Sequence, residues 1–232
     1  MRGARYLLAA GAVSAALLVS TAARAGDPLL PHEHKGVLKP FAARPPLVVT
    51  DADTQTLHAR GIVRQPFSAT DARALLVFEV NAPPDIVWAV ITDLKAMPSY
   101  VEEIKAVDVL TKSGDHTVAK LALGQMGVSL EEFVDYDFHN SARQGTWTLD
   151  YSKRSDIDDS VGFWRVTPSS TNGASIVEYA AEVRAMAWMP GFFQSVINDK
   201  ALAATPGWVR DFSARRAAAR AAMSPATPSA SE

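Results

Sequence analysis

The acidic side chain with the clearest capacity for chemistry is Glu132. By strict alternation along the segment 128–138, it shares a face with Leu130 and Val134. If that face points inward, the carboxylate is buried and must pair, shift its pKa upward or contact a ligand. A one-residue slip or a bulge would place the neighbouring Glu131 inside instead. The pattern therefore allows a ligand-contacting or general-acid role for Glu132, beside a purely structural one.

A second acidic group contains Asp156, Asp158 and Asp159, with Arg154 close by. Such a set could hold a metal ion or perform acid–base chemistry. The group lies between two predicted strands, where Asp is common because its side chain bonds to nearby backbone amides. We therefore expect a solvated turn at this position.

Histidine and nucleophile patterns give little support for catalysis. His32 and His34 flank Glu33 in a Pro-rich strip without a third ligand nearby, so we expect both imidazoles to be solvated. The sequence contains no nucleophile-elbow, zinc-protease, P-loop or dinucleotide motif. We assign no catalytic residue, no metal site and no cofactor.

Aromatic residues are the best candidates for a hydrophobic ligand site, since their rings serve as core or as pocket wall. Core packing is the stronger interpretation for Trp88 and Trp164, whereas Trp147 fits either role. Trp188 lies near Met186 and Met189 in the sequence. This group of residues fits three interpretations equally well: a pocket mouth, a membrane-touching edge or an ordinary hydrophobic lid. The predicted ligand-binding residues are Trp88, Tyr100, Glu132, Trp147, Tyr179, Trp188, Phe192, Phe193, Val196 and Ile197.

Composition limits the class of protein. The chain of 232 residues is 48% hydrophobic and 21% charged, with a formal net charge of -2. These values are typical of a globular protein and disfavour a basic nucleic-acid binder. Because the chain has no Cys, disulfides and thiolate metal sites are excluded.

The first 25 residues have the pattern of a cleaved secretory signal. Arg2 and Arg5 precede an apolar run rich in small residues, and residues 23–25 form an A-x-A cleavage motif. The run is short and interrupted for a membrane span, which needs about 20 apolar residues; a retained anchor is the alternative. Cleavage after Ala25 removes three arginines and no acid, which changes the net charge from -2 to -5. We expect a periplasmic or secreted protein.

The rest of the chain divides into a Pro-rich extended arm over 26–50, a body over 51–218 and a disordered tail over 219–232. The body begins with a short helix over 51–60, a strand over 74–80 and a second helix after Pro83. Period-two alternation then predicts six antiparallel strands over residues 104–111, 116–123, 128–138, 145–153, 161–167 and 175–184.

A long helix beginning at Pro190 completes the body. Its apolar stripe continues in phase across Pro206, which favours one helix with a kink there; a break followed by a separate helix from Gly207 is the alternative. A helix of roughly 30 residues is about 45 Å long and is the only predicted element able to cover the sheet. Because one helix cannot fill a wide curved sheet, the arrangement leaves a cavity suited to an apolar ligand.

Three spaced motifs carry a family resemblance. They are residues 82–100, with the pattern AP-x-x-IVW-x-VI-x-DL-x-x-MP-x-Y, the segment GFWRVTP at 162–168, and VEY at 177–179 leading to Met189 and Pro190. Over roughly residues 57–218 the chain resembles the START-related (SRPBCC) superfamily, nearest its polyketide cyclase and coenzyme Q-binding branch. The resemblance implies an α+β helix-grip fold, with a curved seven-stranded antiparallel sheet wrapped on a long C-terminal helix, and two short helices after the first strand. It brings no universal catalytic residue.

Three functions fit these observations. The first is non-enzymatic binding or transport of a hydrophobic small molecule, such as a lipid, an isoprenoid quinone or a polycyclic compound, in the bacterial cell envelope. The second is a cyclase or dehydratase acting on a polyketide-like aromatic precursor. The third is an envelope protein-interaction module that docks through the arm. We expect a monomer with a hydrophobic ligand and transient contact with a membrane surface, and without a nucleic-acid partner.

Overall fold

The computed structural model describes residues 26–125, 128–187, 189 and 192–223. The predicted signal segment, Trp188 and residues 224–232 lie outside the described residues. Within the described ranges, no helix combines the length and the apolar character needed to cross a bilayer.

A single antiparallel sheet of eight strands forms the centre of the described chain, and its order is β1-β2-β8-β7-β6-β5-β4-β3. The strands are β1 (Ile62–Ser68), β2 (Asp71–Val80), β3 (Ile104–Ser113), β4 (His116–Gln125), β5 (Val128–His139), β6 (Gln144–Leu149), β7 (Asp159–Pro168) and β8 (Ser175–Arg184). With the long helix described below, this sheet confirms the predicted α+β helix-grip fold. The connections are hairpins except between β2 and β3, where two short helices intervene.

Strand β1 corrects the predicted number of seven strands. It pairs with β2 from Ile62 opposite Phe78 to Ser68 opposite Asp71, with an irregularity after Pro66. Its side chains alternate mainly between exposed and half-buried. An edge strand tolerates Pro because one side of its backbone has no partner strand, and its weak hydrophobic pattern explains why the sequence did not reveal it.

Three α-helices and one 3-10 helix accompany the sheet in the described ranges: α1 (Asp51–His58), α2 (Pro84–Ile91), the 3-10 helix (Leu94–Ser99) and α3 (Phe192–Met223). Thr50 caps α1, because its hydroxyl accepts the Asp53 amide while the Asp53 carboxylate accepts the Thr50 amide. Pro206 lies inside α3 without ending it. The helix also continues past residue 218, where we expected the tail to begin, because its last turns are rich in Ala, the strongest helix former.

The two faces of the sheet bury two separate hydrophobic clusters. The inner face packs against α2 and α3 and contains, among others, Phe78, Val134, Tyr136, Trp164 and Tyr179. The outer face is covered by the arm and α1, and its cluster contains Phe41, Leu57, Phe67, Leu75, Val77, Val161, Phe163, Ile176 and Ala180. The arm therefore supplies core residues to a face that the sequence analysis left without a cover.

Buried ion pairs and hydrogen bonds hold the arm on the sheet. The Arg44 guanidinium lies 3.0 Å from the Glu178 carboxylate, which is 1% exposed and also accepts the Leu47 amide. His32 is buried rather than solvated as expected: its Nδ1 accepts the Ser155 amide at 3.2 Å, and its Nε2 donates to the Asp158 carbonyl at 2.8 Å.

The expected solvated turn at Asp156, Asp158 and Asp159 is wrong, because all three side chains are buried. Asp159 accepts the Leu38 amide at 2.7 Å, and Asp158 contacts His34 and pairs with Arg184. These carboxylates bind residues of the arm, which lie more than 120 positions earlier in the sequence. Local sequence cannot show such burial, because the partner comes from the opposite end of the chain.

Candidate ligand-binding site

A cavity of about 590 Å³ separates the inner face of the sheet from α3. The sheet contributes side chains from β3 to β8, α3 contributes residues between Leu202 and Phe212, and the 3-10 helix with the segment after it closes one side. The lining is mostly apolar and aromatic, and its members include Met97, Tyr100, Ile104, Leu121, Leu123, Leu130, Tyr136, Trp147, Ile157, Trp164, Tyr179, Val183, Leu202, Trp208 and Phe212.

Aromatic rings form a continuous wall along this cavity. Trp164 packs against Tyr179 at 4.2 Å between ring centroids and meets Trp208 of α3 edge-on at 6.0 Å. Trp208 in turn stacks on Tyr100 at 5.0 Å. On the other side, the Trp147 ring is nearly parallel to that of Tyr179 at 6.3 Å. Such offset and edge-to-face contacts keep the rings in fixed positions, so the wall has a defined shape.

Glu132 is the carboxyl group that lies deepest in the cavity lining. It is on the inner face of β5, opposite Leu121 of β4, and it is 9% exposed. Burial raises its pKa to about 7, because the ionised form loses its hydration. Within the described part of the chain, no hydrogen bond or ion pair to its side chain is found. The carboxyl is therefore available to hydrogen-bond a group placed inside the cavity.

The neighbouring Glu131 points the other way along the same strand. Its carboxylate lies 2.6 Å from the Lys120 ammonium, and it is half-buried. The alternation predicted for β5 is thus present, without a slip that would exchange the two glutamates.

Hydroxyl groups complete the polar part of the lining. Tyr136 follows Glu132 by four residues on the same face; burial and the nearby Glu132 charge both raise its pKa well above the ordinary value. The Tyr179 hydroxyl bonds with Thr205 of α3, and burial raises its pKa to about 12. Trp147 Nε1 donates to Ser160 Oγ at 3.2 Å. The tyrosines are therefore neutral hydrogen-bonding groups at physiological pH.

The cavity opens between α3 and the segment that precedes β3. Glu102 and Asp211 line it and are exposed, which marks the rim. Glu103 also belongs to the lining and is half-buried. With Glu132 inside, the four carboxyl groups make the potential in the cavity negative when they are ionised.

The predicted site residues divide into three groups. Tyr100, Glu132, Trp147 and Tyr179 line the cavity. Trp188 is outside the described residues, and only the backbone of Phe192, Phe193, Val196 and Ile197 is described, in the first turns of α3. Ligand contact by any of these residues stays a prediction.

Trp88 lies away from the cavity and is corrected here. Its ring is 5% exposed and meets Phe138 edge-on at 5.8 Å, while Nε1 donates to Asn140 Oδ1 at 2.9 Å. It belongs to α2, which packs against α3, β7 and β8, and its ring reaches Phe138 near the end of β5, so it forms core instead of pocket wall. Tyr100 contributes its ring face to the cavity, since its hydroxyl donates to the Val90 and Asp93 carbonyls at 2.9 and 3.0 Å.

The sequence analysis missed several lining residues. Tyr136 shares the predicted inward face with Glu132, and Trp208 belongs to the apolar stripe of α3, so both signals were available. Ile157, Ser160 and Thr205 had no such signal. In the described ranges, no cluster of three potential metal-ligating His, Cys, Asp or Glu side chains occurs.

Comparison with known proteins places this geometry in a family. The sequence profile of the family described as polyketide cyclase / dehydrase and lipid transport matches residues 71–222. No curated protein sequence matches the chain significantly.

Solved structures show a similar fold. The Zhui aromatase/cyclase from Streptomyces sp. R1128 is 17% identical with a TM-score of 0.53, covering 64% of this chain and 96% of that one. A START superfamily protein from Mycobacterium smegmatis is 15% identical with a TM-score of 0.52, covering 61% and 96%. A protein from Thermus thermophilus is 16% identical with a TM-score of 0.50, covering 65% and 98%. At these identities the likeness concerns the fold.

Proposed function

The chain belongs to the polyketide cyclase / dehydrase and lipid transport family, whose fold binds hydrophobic small molecules, and we propose that it binds and carries such a molecule in its cavity. The observation that carries this proposal is the aromatic-walled space of about 590 Å³ between the sheet and α3. Its volume falls within the range of about 300–1,000 Å³ that is usual for small-molecule sites. Burial of apolar ligand surface drives loading, at about 25 cal/mol per Å² before ordering costs.

The polar groups of the lining indicate what kind of apolar ligand fits. Glu102 and Asp211 at the rim and Glu132 inside repel a carboxylate or a phosphate. A protonated Glu132 can instead donate a hydrogen bond to a carbonyl or hydroxyl, and Tyr136 offers a second hydroxyl nearby. We therefore favour a neutral ligand with a few oxygen atoms, such as an isoprenoid quinone or a polycyclic phenol, over a free fatty acid.

The site of action that we propose is the bacterial cell envelope. This part of the proposal is supported by the charged, apolar and A-x-A regions of residues 1–25. Transient contact with a membrane surface stays a prediction. The arginines near the C-terminal end of α3 are the candidate residues for this membrane contact. Arg216 lies 3.4 Å from Asp93 and Arg220 lies 2.5 Å from Asp85. These ion pairs reduce the positive charge available to lipid head groups.

Mass spectrometry of an organic extract tests the binding proposal. The protein is expressed with its export segment and purified without detergent, and we expect one neutral apolar compound in near-stoichiometric amount. Ala181→Phe fills the cavity from β8 and should lower the yield of that compound. Ala106→Phe makes the same change at an exposed position on β3 and should leave the yield unchanged. Equal loading of both variants, or an extract without ligand from the folded protein, would contradict the proposal.

A second candidate is a cyclase or dehydratase acting on a polyketide-like aromatic precursor. The observation that favours it is the pKa of about 7 for Glu132, because a carboxyl group near its pKa at the working pH is suited to general acid catalysis. In such a reaction, Glu132 would donate its proton to a carbonyl of the bound precursor. The aromatase/cyclase among the similar structures makes this class worth testing.

A further inference from the structure

Asp156 is a buried carboxylate whose hydrogen-bond partners are neutral backbone amides. It lies in the loop between β6 and β7 and is 5% exposed. Its Oδ2 accepts the Glu131 amide at 2.8 Å and the Gly26 amide at 3.2 Å. Across the described ranges, no Lys, Arg or His forms an ion pair with it. Burying a carboxylate without a counter-charge is costly, so a positive charge placed beside Asp156 would be stabilising.

The positive groups around this carboxylate are engaged elsewhere. The Lys120 ammonium of β4 lies 2.6 Å from Glu131 of β5. The Arg154 guanidinium, two residues before Asp156, lies 2.8 Å from Glu33 of the arm. Neither can turn to Asp156 without leaving its own acid, so the missing charge must come from another group.

Gly26 is held against this carboxylate by close packing. A Cβ atom at Gly26 would lie 2.9 Å from the Arg154 carbonyl oxygen and 3.3 Å from a ring atom of Phe133. The next residue, Asp27, exchanges two backbone hydrogen bonds of 3.0 Å with Arg154. The beginning of the arm is therefore in a fixed register, with the Gly26 nitrogen directed at Asp156.

We propose that cleavage after Ala25 turns the Gly26 nitrogen into an α-ammonium that forms a buried ion pair with Asp156. The A-x-A motif at residues 23–25 ends immediately before Gly26. Processing thus replaces one neutral N–H by a charged group with three donors at a position already within hydrogen-bond distance. Charge-assisted hydrogen bonds are roughly twice as strong as neutral ones, so the processed chain is more stable than any form that retains residues before Gly26.

This inference concerns processing and is independent of the cavity ligand. It assigns to Asp156 the role of receptor for the new amino terminus, and to Gly26 the role of the only residue type that fits. A chain that begins one residue earlier keeps a neutral amide at Gly26, with its ammonium displaced by one residue from the carboxylate.

Two chains test the proposal, one beginning at Gly26 and one at Ala25, each released from a fusion without extra residues. We expect the Ala25 form to melt on the order of 5 °C lower. Asp156→Asn should reduce this difference to near zero, whereas Asp108→Asn, the same change at an exposed position of β3, should preserve it. A difference that survives Asp156→Asn would overturn the proposal, as would identical melting of the two wild-type forms.

Two measurements on the wild-type protein keep the proposal testable if Asp156→Asn does not fold. Intact mass of the exported chain should show Gly26 as the first residue. NMR titration should place the Gly26 α-amino pKa above its ordinary value of about 8. Asp156 and, further off, Glu131 stabilise the charged amino group. Lys120 and Arg154 oppose this effect, but each is paired with its own acid. The added stability is then present below about pH 8 and is lost as the pH rises through the folded pKa. An ordinary amino pKa, or a different first residue, would refute the proposal.

Discussion

Gly162 of β7 lies directly under the Trp147 indole of β6, so that a Cβ atom on Gly162 would be 1.9 Å from both Cη2 and Cζ2 of the ring. The two residues are opposite each other in the β6–β7 pair. Only the absence of a side chain on β7 lets the ring lie across the neighbouring strand. The Gly in the motif GFWRVTP thereby orients a wall of the ligand cavity.

Gly162→Ala should therefore destabilise the protein by about 1–3 kcal/mol, the usual cost of forcing extra volume into a packed site. The free energy of unfolding in urea measures it. Gly207→Ala is the matched control: a Cβ there meets nothing within 4 Å, and the position is inside α3. Ala favours a helix over Gly, so this control should gain about 1 kcal/mol. Equal stabilities of Gly162→Ala and the wild type would show that the indole can move aside.

Glu132→Gln separates the carrier from the enzyme. A carrier should change its ligand affinity by about tenfold or less, because Gln preserves shape and hydrogen bonding. If Glu132 is a general acid, turnover of an aromatic precursor should fall by about 10²–10⁴. Glu131→Gln alters the adjacent residue that faces away from the cavity and should change neither quantity. A large fall in turnover would replace our leading proposal by the second candidate.

The stability of the ligand-free protein should depend on pH through Glu132. Its pKa rises from the ordinary 4.5 to about 7 on folding, so the folded state holds the proton more tightly than the unfolded state. The contribution to the free energy of unfolding is greatest below about pH 4.5 and is lost as the pH rises to about 7, a change of about 3 kcal/mol. A comparison of urea unfolding of the wild type and Glu132→Gln across this pH range isolates the contribution of the Glu132 carboxyl to the free energy of unfolding. Parallel pH curves for the two proteins would contradict the burial of an uncompensated carboxyl.

Phe41→Ala should lower stability by about 3 kcal/mol without changing ligand affinity. The Phe41 ring is 4% exposed, packs on Phe67 at 4.7 Å and lies 3.7 Å from the Arg73 guanidinium carbon. All three residues are on the outer face, across the sheet from the cavity. Val48→Ala, at an arm position that is 86% exposed, should have little effect. A loss of ligand from Phe41→Ala at full stability would show that the arm acts on the site itself.

The sequence alone determined the fold class and one central feature of the site. Side chains in a strand alternate between faces with a period of two, so the sequence placed Glu132 on the same face as Leu130 and Val134. The structure then showed that this face points into the cavity. The stripe of α3 likewise predicted one helix across Pro206, because each apolar residue recurs at three or four positions and shows the helical period directly. These patterns are local, and neighbouring residues carry them completely.

Tertiary structure decided where the arm lies and which aromatic rings border the cavity. His32 and Asp156 each looked solvated, yet they are buried because residues more than 120 positions apart meet over the outer face. Trp88 and Trp164 each lie in one of the motifs that carry the family resemblance, but only Trp164 lines the cavity. Whether a ring becomes core or wall depends on what the opposing element leaves unfilled. That space is set by the packing of α2 and α3 on a curved sheet, which no single segment of the sequence specifies.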